Sequence, residues 1–159
     1  MRQTLGVHDL PTTLSVHLDQ AHHKVTGAAR PIPYLISSMF AGMFVGIAVV
    51  LMVSTAGPFA AAGSPATKLV SGLVFGIALT LVVFAGAELV TSAMMILTQG
   101  VATRHIPWKQ GVGTLLFCFA GNVLGAMFFA WLVVVSDVLH SNAAAGQMLA
   151  DMLEAKSHE

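Results

Sequence analysis

The sequence is short of charge, of cysteine and of polar residues over long stretches, and each shortage closes off a class of protein. Asp and Glu together number seven, as do Lys and Arg, so charged residues make up 9% of the 159 positions. A soluble domain of this size carries roughly a quarter charged residues, and this chain cannot shield its apolar surface from water in that way. Its net charge is zero, which offers no electrostatic handle to a nucleic acid or to an anionic membrane surface. The lone Cys118 excludes an intrachain disulfide, and its place in an apolar run makes it a buried packing residue rather than a thiolate. Residues 1–30 contain no continuous apolar core of a cleavable signal peptide, so the first true span is expected to start membrane insertion. No nucleotide motif, metal-ligand spacing or nucleophile with a neighbouring base occurs, so neither an enzyme activity nor a cofactor is expected. His17, His22 and His23 are close in sequence, but their spacing does not bring three ring nitrogens to one side of a helix.

What fills the chain is hydrophobic, at 56% of positions, with a mean hydropathy of +0.82. The charges gather in the first thirty residues, around Arg104 to Lys109, and in the last ten. The stretches between them read as membrane-embedded, which gives an all-α membrane protein with three transmembrane segments. Leu10, Leu14, Leu18, Ala21 and Val25 recur at helical spacing over residues 9–29, with Asp9 ahead of Pro11 as a helix start. That pattern predicts an amphipathic helix at the membrane interface, within a cytoplasmic N-terminal segment 1–30.

The membrane part is expected over 31–136. Its first span runs from about 33 to 55, where Ser38, Gly42 and Gly46 form a small-residue stripe for close helix packing and Gly57-Pro58 marks the stop. The second segment carries Gly72 and Gly76 at the same spacing. The third span covers about 111–136, with Gly121 and Gly125 as packing residues and Asn122 as polar support between helices. Trp108 and Trp131 fall near its ends as interface or packing residues. Residues 137–159 form an extracytoplasmic tail with a short surface helix. With the N-terminus in the cytoplasm, Arg2, Lys24, Arg30, Arg104 and Lys109 lie inside and only Lys68 and Lys156 outside, which sets the orientation.

The second segment holds the feature that points to function. From Leu69 to Leu97 the one charged residue is Glu88. A straight helix of that length would run roughly 43 Å, against a hydrocarbon core of about 30 Å. Phe84-Ala85-Gly86-Ala87-Glu88-Leu89-Val90-Thr91-Ser92 supplies small residues, a carboxylate and two hydroxyls where the helix can break. Two half-helices are therefore expected, about 67–84 and 93–102, joined by a re-entrant loop buried in protein or lining a watery cavity. The N–H groups and positive end of the second half-helix make a site for a small anion. Thr91 and Ser92 are the expected N-cap residues, and Thr91 the expected contact for the ion. Glu88 is expected to turn away from the ion and accept hydrogen bonds from loop N–H groups, anchoring the loop together with Ser92.

Phe75-Gly76-Ile77-Ala78-Leu79-Thr80-Leu81 followed by Ala85-Gly86-Ala87-Glu88-Leu89-Val90-Thr91-Ser92 resembles the second-helix motif of the formate/nitrite transporter family. Phe119-Ala120-Gly121-Asn122-Val123-Leu124-Gly125-Ala126 resembles its third-helix motif, in the right order and spacing. Around Gly76 to Leu81 the wording is more similar to the nitrite channels than to the formate channels. The resemblance implies one repeat of an aquaporin-like fold of two inverted three-helix repeats. It also implies a pentamer with one pore per protomer, passing nitrite or formate across the bacterial inner membrane.

By motif position, the resemblance makes Leu79 part of a cytoplasmic constriction, Val90 part of a periplasmic one, Thr91 part of the mobile loop, and Lys156 an electropositive support of the pore. Val90 stands where the family commonly has Phe. The sequence ends at Glu159, ahead of the family's fourth helix and its central His, a role that His105, His140 and His158 are not placed to fill. A channel subunit completed by a partner that supplies the second half is the leading expectation. A non-conducting remnant, or a scaffold partner of a full-length homologue, is the alternative.

Overall fold

The computed structural model describes residues 10–157; Asp9, the expected helix start, and Arg2 and His158 lie outside the described residues. Every element among them is a helix: α1 (Leu10–Ala28), α2 (Pro31–Ala61), α3 (Thr67–Phe75), α4 (Ile77–Ala85), α5 (Val90–Ala102), α6 (Trp108–Val135), α7 (Val138–Ser141) and α8 (Ala143–Ser157). Three stretches are long and apolar enough to cross a membrane: Pro31–Ala61, Thr67–Ala85 across α3 and α4, and Trp108–Val135. Large apolar side chains such as Leu73, Leu79, Phe84, Leu116 and Val134 stay exposed along them. Water would not tolerate that surface, whereas a bilayer or a partner helix would.

The central contact is α2 against α6, and glycine makes it possible. A Cβ on Gly42 would collide with the carbonyl oxygen of Asn122, and one on Gly125 with the carbonyl oxygen of Met39. One on Gly121 would lie 2.5 Å from the Ser38 Cβ, and one on Gly46 would run into the Phe129 ring at the same distance. The two backbones therefore touch, the geometry that small residues permit in apolar surroundings. Gly72 meets nothing within 4 Å, and Gly76 meets only carbonyls of its own preceding turn. The packing stripe expected on the second segment is thus not formed within this chain.

Two apolar clusters flank the α2–α6 contact. At one end Ala21 of α1, Tyr34 of α2, Ala93, Ile96 and Leu97 of α5, Ile106 and Cys118 pack together. The N-terminal amphipathic helix is therefore docked onto the bundle, with Ala21 buried where a Cβ on Gly100 would come within 2.8 Å of its own. At the other end Met52, Val53 and Ala145 join Val74, Leu139, Met148 and Leu149. The residues read as a tail thus include a helix, α8, that folds back along α2.

That packing explains one departure from the sequence pattern. Gly57-Pro58 does not stop the first span, which continues to Ala61 with Pro58 inside. The lost hydrogen bond is offset because Gly57 lies flat against α8, where a Cβ would stand 2.7 Å from the Ala144 carbonyl oxygen. Val53 and Ala56 are fully buried beside it. Helix ends elsewhere also move: α5 begins at Val90, three residues before its expected start, and α6 begins at Trp108, directly after the extended Pro107.

Gly125→Ala places a methyl group against backbone that cannot yield, and should destabilise the chain by roughly 1–3 kcal/mol. Gly113→Ala, in open space on the same helix, should cause no loss. Thermal unfolding of the two variants in detergent compares them directly.

Candidate functional site

The helix break is written by glycine. Gly86 ends α4 in the left-handed conformation, φ 62° and ψ 32°. Its N–H donates to the Val83 carbonyl at 3.2 Å, and the Ala87 N–H donates to the Val82 carbonyl at 3.0 Å. These two bonds close the helix end in the glycine-capped pattern that releases the chain in a new direction. Residues 86–89 are then non-helical, and Leu89 enters α5 from extended backbone.

Side chains from both flanking helices hold the break. From α2, the Ser37 hydroxyl accepts the Glu88 N–H at 3.2 Å and donates to the Gly86 carbonyl at 3.4 Å. From α6, the Asn122 amide donates to the Glu88 carbonyl at 2.9 Å and to the Ser38 carbonyl at 3.0 Å, while its oxygen accepts the Val90 N–H at 3.0 Å. Both hydrogens and the oxygen of that buried amide are used, which also fixes its orientation. The Cys118 thiol adds a bond to the Glu88 carbonyl at 3.3 Å, so this cysteine does more than pack.

The Glu88 carboxylate is not held by loop N–H groups. It forms an ion pair with Lys24 of α1, with the two side chains 24% and 12% exposed respectively. Nearby, His17 hydrogen-bonds Gln99 at 2.9 Å, so α1 runs back along α5 toward the break. The carboxylate thus has a fixed cation as partner, so its charge is not left uncompensated in apolar surroundings.

Thr91 and Ser92 also take places other than the N-cap. Leu89 occupies that position and offers no side-chain cap. The Ser92 hydroxyl donates to the Leu89 carbonyl at 2.9 Å, tying the first turn of α5 to the break. Among the described residues, no partner engages the N–H groups of Leu89, Thr91 and Ser92, or the Thr91 hydroxyl. An open groove of about 430 Å³ borders them, lined by Lys24, Leu79, Glu88, Thr91 and Ser92 among others.

Of the residues singled out in the sequence, Leu79, Glu88, Thr91 and Ser92 therefore share one groove. Asn122 stands behind it as a clamp, and Gly121 and Gly125 let α6 approach closely enough for that clamp to reach. Val90 packs into the apolar cluster beneath the groove, and Lys156 is exposed on α8 and lines no part of it. In the sequence Lys24 counts only toward orientation, and Ser37 has no assigned role. A signal for Lys24 exists, since it follows Ala21 by three residues and so shares the packed face of α1, where an unpaired lysine would be costly. Ser37 carries no comparable signal.

The family model for "Formate/nitrite transporter" matches residues 12–159. The nitrite transporter NirC of Escherichia coli (strain K12) is 36% identical over 127 residues, covering 74% of this chain and 46% of that protein. The formate channel FocA of Haemophilus influenzae (strain ATCC 51907 / DSM 11121 / KW20 / Rd) is 33% identical over 145 residues, covering 89% of this chain and 49% of that protein. A solved structure described as an FNT family ion channel superposes with a TM-score of 0.72 at 33% identity, over 79% of this chain and 50% of its own. The chain thus spans about half the length of the relatives it matches. On its motifs, its fold and these likenesses, the chain belongs to the formate/nitrite transporter family.

Proposed function

We propose that this chain forms one three-span half of a channel for small monovalent anions, nitrite or formate, and that the ion passes along the groove at the helix break. The observation that carries this reading is the set of spare donors there. Among the described residues, Leu89, Thr91 and Ser92 each hold an unused N–H, Thr91 adds a hydroxyl, and all stand at the N-terminal, positive end of the 13-residue α5. Lys24 adds a cation whose charge Glu88 balances, so an anion could approach without meeting a net negative charge.

The break reads as a re-entrant loop near mid-membrane, because the Asn122 clamp sits halfway along the 28-residue α6. With α1 and the α5–α6 corner in the cytoplasm of a bacterial inner membrane, chain order puts Leu79 on the outer side of the break and Val90 on its inner side. The two constriction positions then exchange the sides that the resemblance implies. Val90 acts as packing beneath the groove, Leu79 and Thr91 as its lining, Ser92 as the internal tie, and Lys156 as a remote positive charge on the outer side.

The exposed apolar faces of α3, α4 and α6 support a pore completed by a second three-span unit within a larger oligomer. The likeness to NirC and FocA supports nitrite and formate as the ions to test.

The deciding measurement is nitrite and formate flux into liposomes, for this chain alone and after co-expression with the C-terminal half of a full-length relative. Flux is expected only with both halves, and Thr91→Trp should abolish it. An absence of flux in both samples would favour the non-conducting reading.

Two further outcomes follow from the clamp and the ion pair. Asn122→Leu leaves two carbonyls and one N–H without this partner, at a cost of roughly 1–3 kcal/mol for each group that finds no replacement. Its transport should fall at least tenfold even at temperatures where the variant stays folded. Lys24→Met strands the Glu88 carboxylate and should destabilise by about 3–5 kcal/mol, whereas Lys24→Met combined with Glu88→Gln should recover most of that loss in a detergent melting experiment.

A further inference from the structure

The second apolar stretch is broken once, at Gly86, and its helix is weakened once more, again at a glycine. Gly86 makes the break already described. The other is at Gly76, where α3 ends at Phe75 and α4 starts at Ile77. Across the joint, Gly76 N–H donates to the Gly72 carbonyl at 3.3 Å and Thr80 N–H to the Gly76 carbonyl at 3.4 Å, both long for helix bonds. No proline lies between Thr67 and Ala85 to cause the interruption.

Packing within the chain does not call for glycine at this point. A Cβ at Gly76 would meet only the Leu73 carbonyl oxygen at 3.3 Å and the Gly72 carbonyl oxygen at 3.8 Å, the ordinary neighbours of a helical residue. Its backbone, at φ −55° and ψ −22°, suits any amino acid. Alanine would favour a continuous helix about fivefold over glycine here.

The segment that the joint carries is lightly held. Of the nine residues of α4, only Ala78 and Val82 are buried. Beside the joint, between α2 and the two short helices, lies a cavity of about 410 Å³ bordered by Leu51, Thr55, Val74, Ile77 and Thr80. On its other side α4 forms a wall of the groove through Leu79 and Val83. Its far end meets Gly86, whose carbonyl takes a long 3.4 Å bond from Ser37, before the chain reaches the clamped Glu88.

We propose that α4 is a rigid rod hinged at Gly76, with Gly86 absorbing the displacement, and that its swing toward the cavity beside α2 moves Leu79 and Val83 and so gates the groove. A nine-residue rod is about 13 Å long, so a tilt of roughly 20° carries its tip about 4–5 Å. The gating role rests on the groove being the ion path; the hinge itself does not.

The test is a distance measurement by pulsed electron resonance on the full chain in lipid nanodiscs. Spin labels go at Phe84→Cys on the tip of α4, where the native side chain is 88% exposed, and at Phe59→Cys on α2, in a Cys118→Ser background. Two populations differing by up to about 4–5 Å are expected, collapsing to one in Gly76→Ala and persisting in Gly72→Ala. A single distance in the parent, or an unchanged pair of distances in Gly76→Ala, would overturn the hinge. Collapse in Gly72→Ala as well would also overturn it, since the glycines would then be a packing face. Because distance and not flux is read, a failed hinge leaves the channel reading standing, and a silent channel leaves the hinge decided.

Discussion

A helix that breaks inside apolar surroundings survives only if its freed backbone groups find partners, and here one primary amide supplies three of the bonds. Asn122 holds the Glu88 carbonyl, the Val90 N–H and the Ser38 carbonyl at once, so the break, α2 and α6 are fixed relative to one another by a single side chain. Water cannot substitute for these bonds at a buried position without room and polar neighbours of its own. The close approach of α2 and α6 is the precondition. Gly42 accepts the Asn122 backbone against its own, and Gly121 accepts Ser38, so the amide sits within reach of both elements. A larger residue at either glycine would move α6 away and leave the break unclamped.

The ion pair between Lys24 and Glu88 solves a different problem. A carboxylate at the break would dominate its electrostatics and repel any anion, while burying it alone would be prohibitively costly. Pairing it with a lysine from α1 cancels the charge locally and ties the N-terminal helix to the break. That helix therefore contributes to the wall of the groove, and its docking through Ala21 and Gly100 becomes part of what positions the site.

The spans were readable because membrane segments are long uniform runs, and the break because Glu88 interrupts a run too long to be one helix. The close α2–α6 contact was likewise announced by glycines at four-residue spacing on both helices. Tertiary packing defeated the local rules elsewhere. Gly57-Pro58 looks like a helix stop, yet α8, almost ninety residues later in the chain, packs on Gly57 and carries α2 past it. Gly72 and Gly76 have the spacing of a packing stripe, yet Gly72 faces open space and Gly76 meets only its own preceding turn. The hydroxyls of Thr91 and Ser92 look like caps, yet the bonds made by Gly86, Ser37 and Asn122 place the first turn of α5 around them instead. The partner of Glu88 lies 64 positions away, and no local pattern encodes so distant a pair.

The polarity of what remains unbonded at the α5 end of the break bears directly on the proposed ion path. The Glu88 carbonyl already accepts bonds from Asn122 and Cys118, and the Leu89 carbonyl accepts the Ser92 hydroxyl at 2.9 Å and the Ala93 N–H at 3.0 Å. The carbonyls of Glu88 and Leu89 are therefore occupied, and the nearby carboxylate is paired with Lys24. The N–H groups of Leu89, Thr91 and Ser92 are not, and they sit where the aligned dipoles of α5 present their positive end. Ser37, Asn122 and Lys24 thus act together in a way none does alone: they engage the Gly86 and Glu88 carbonyls and the Glu88 carboxylate, so that unbonded donors remain beside the groove, the polarity that the proposed anion path calls for.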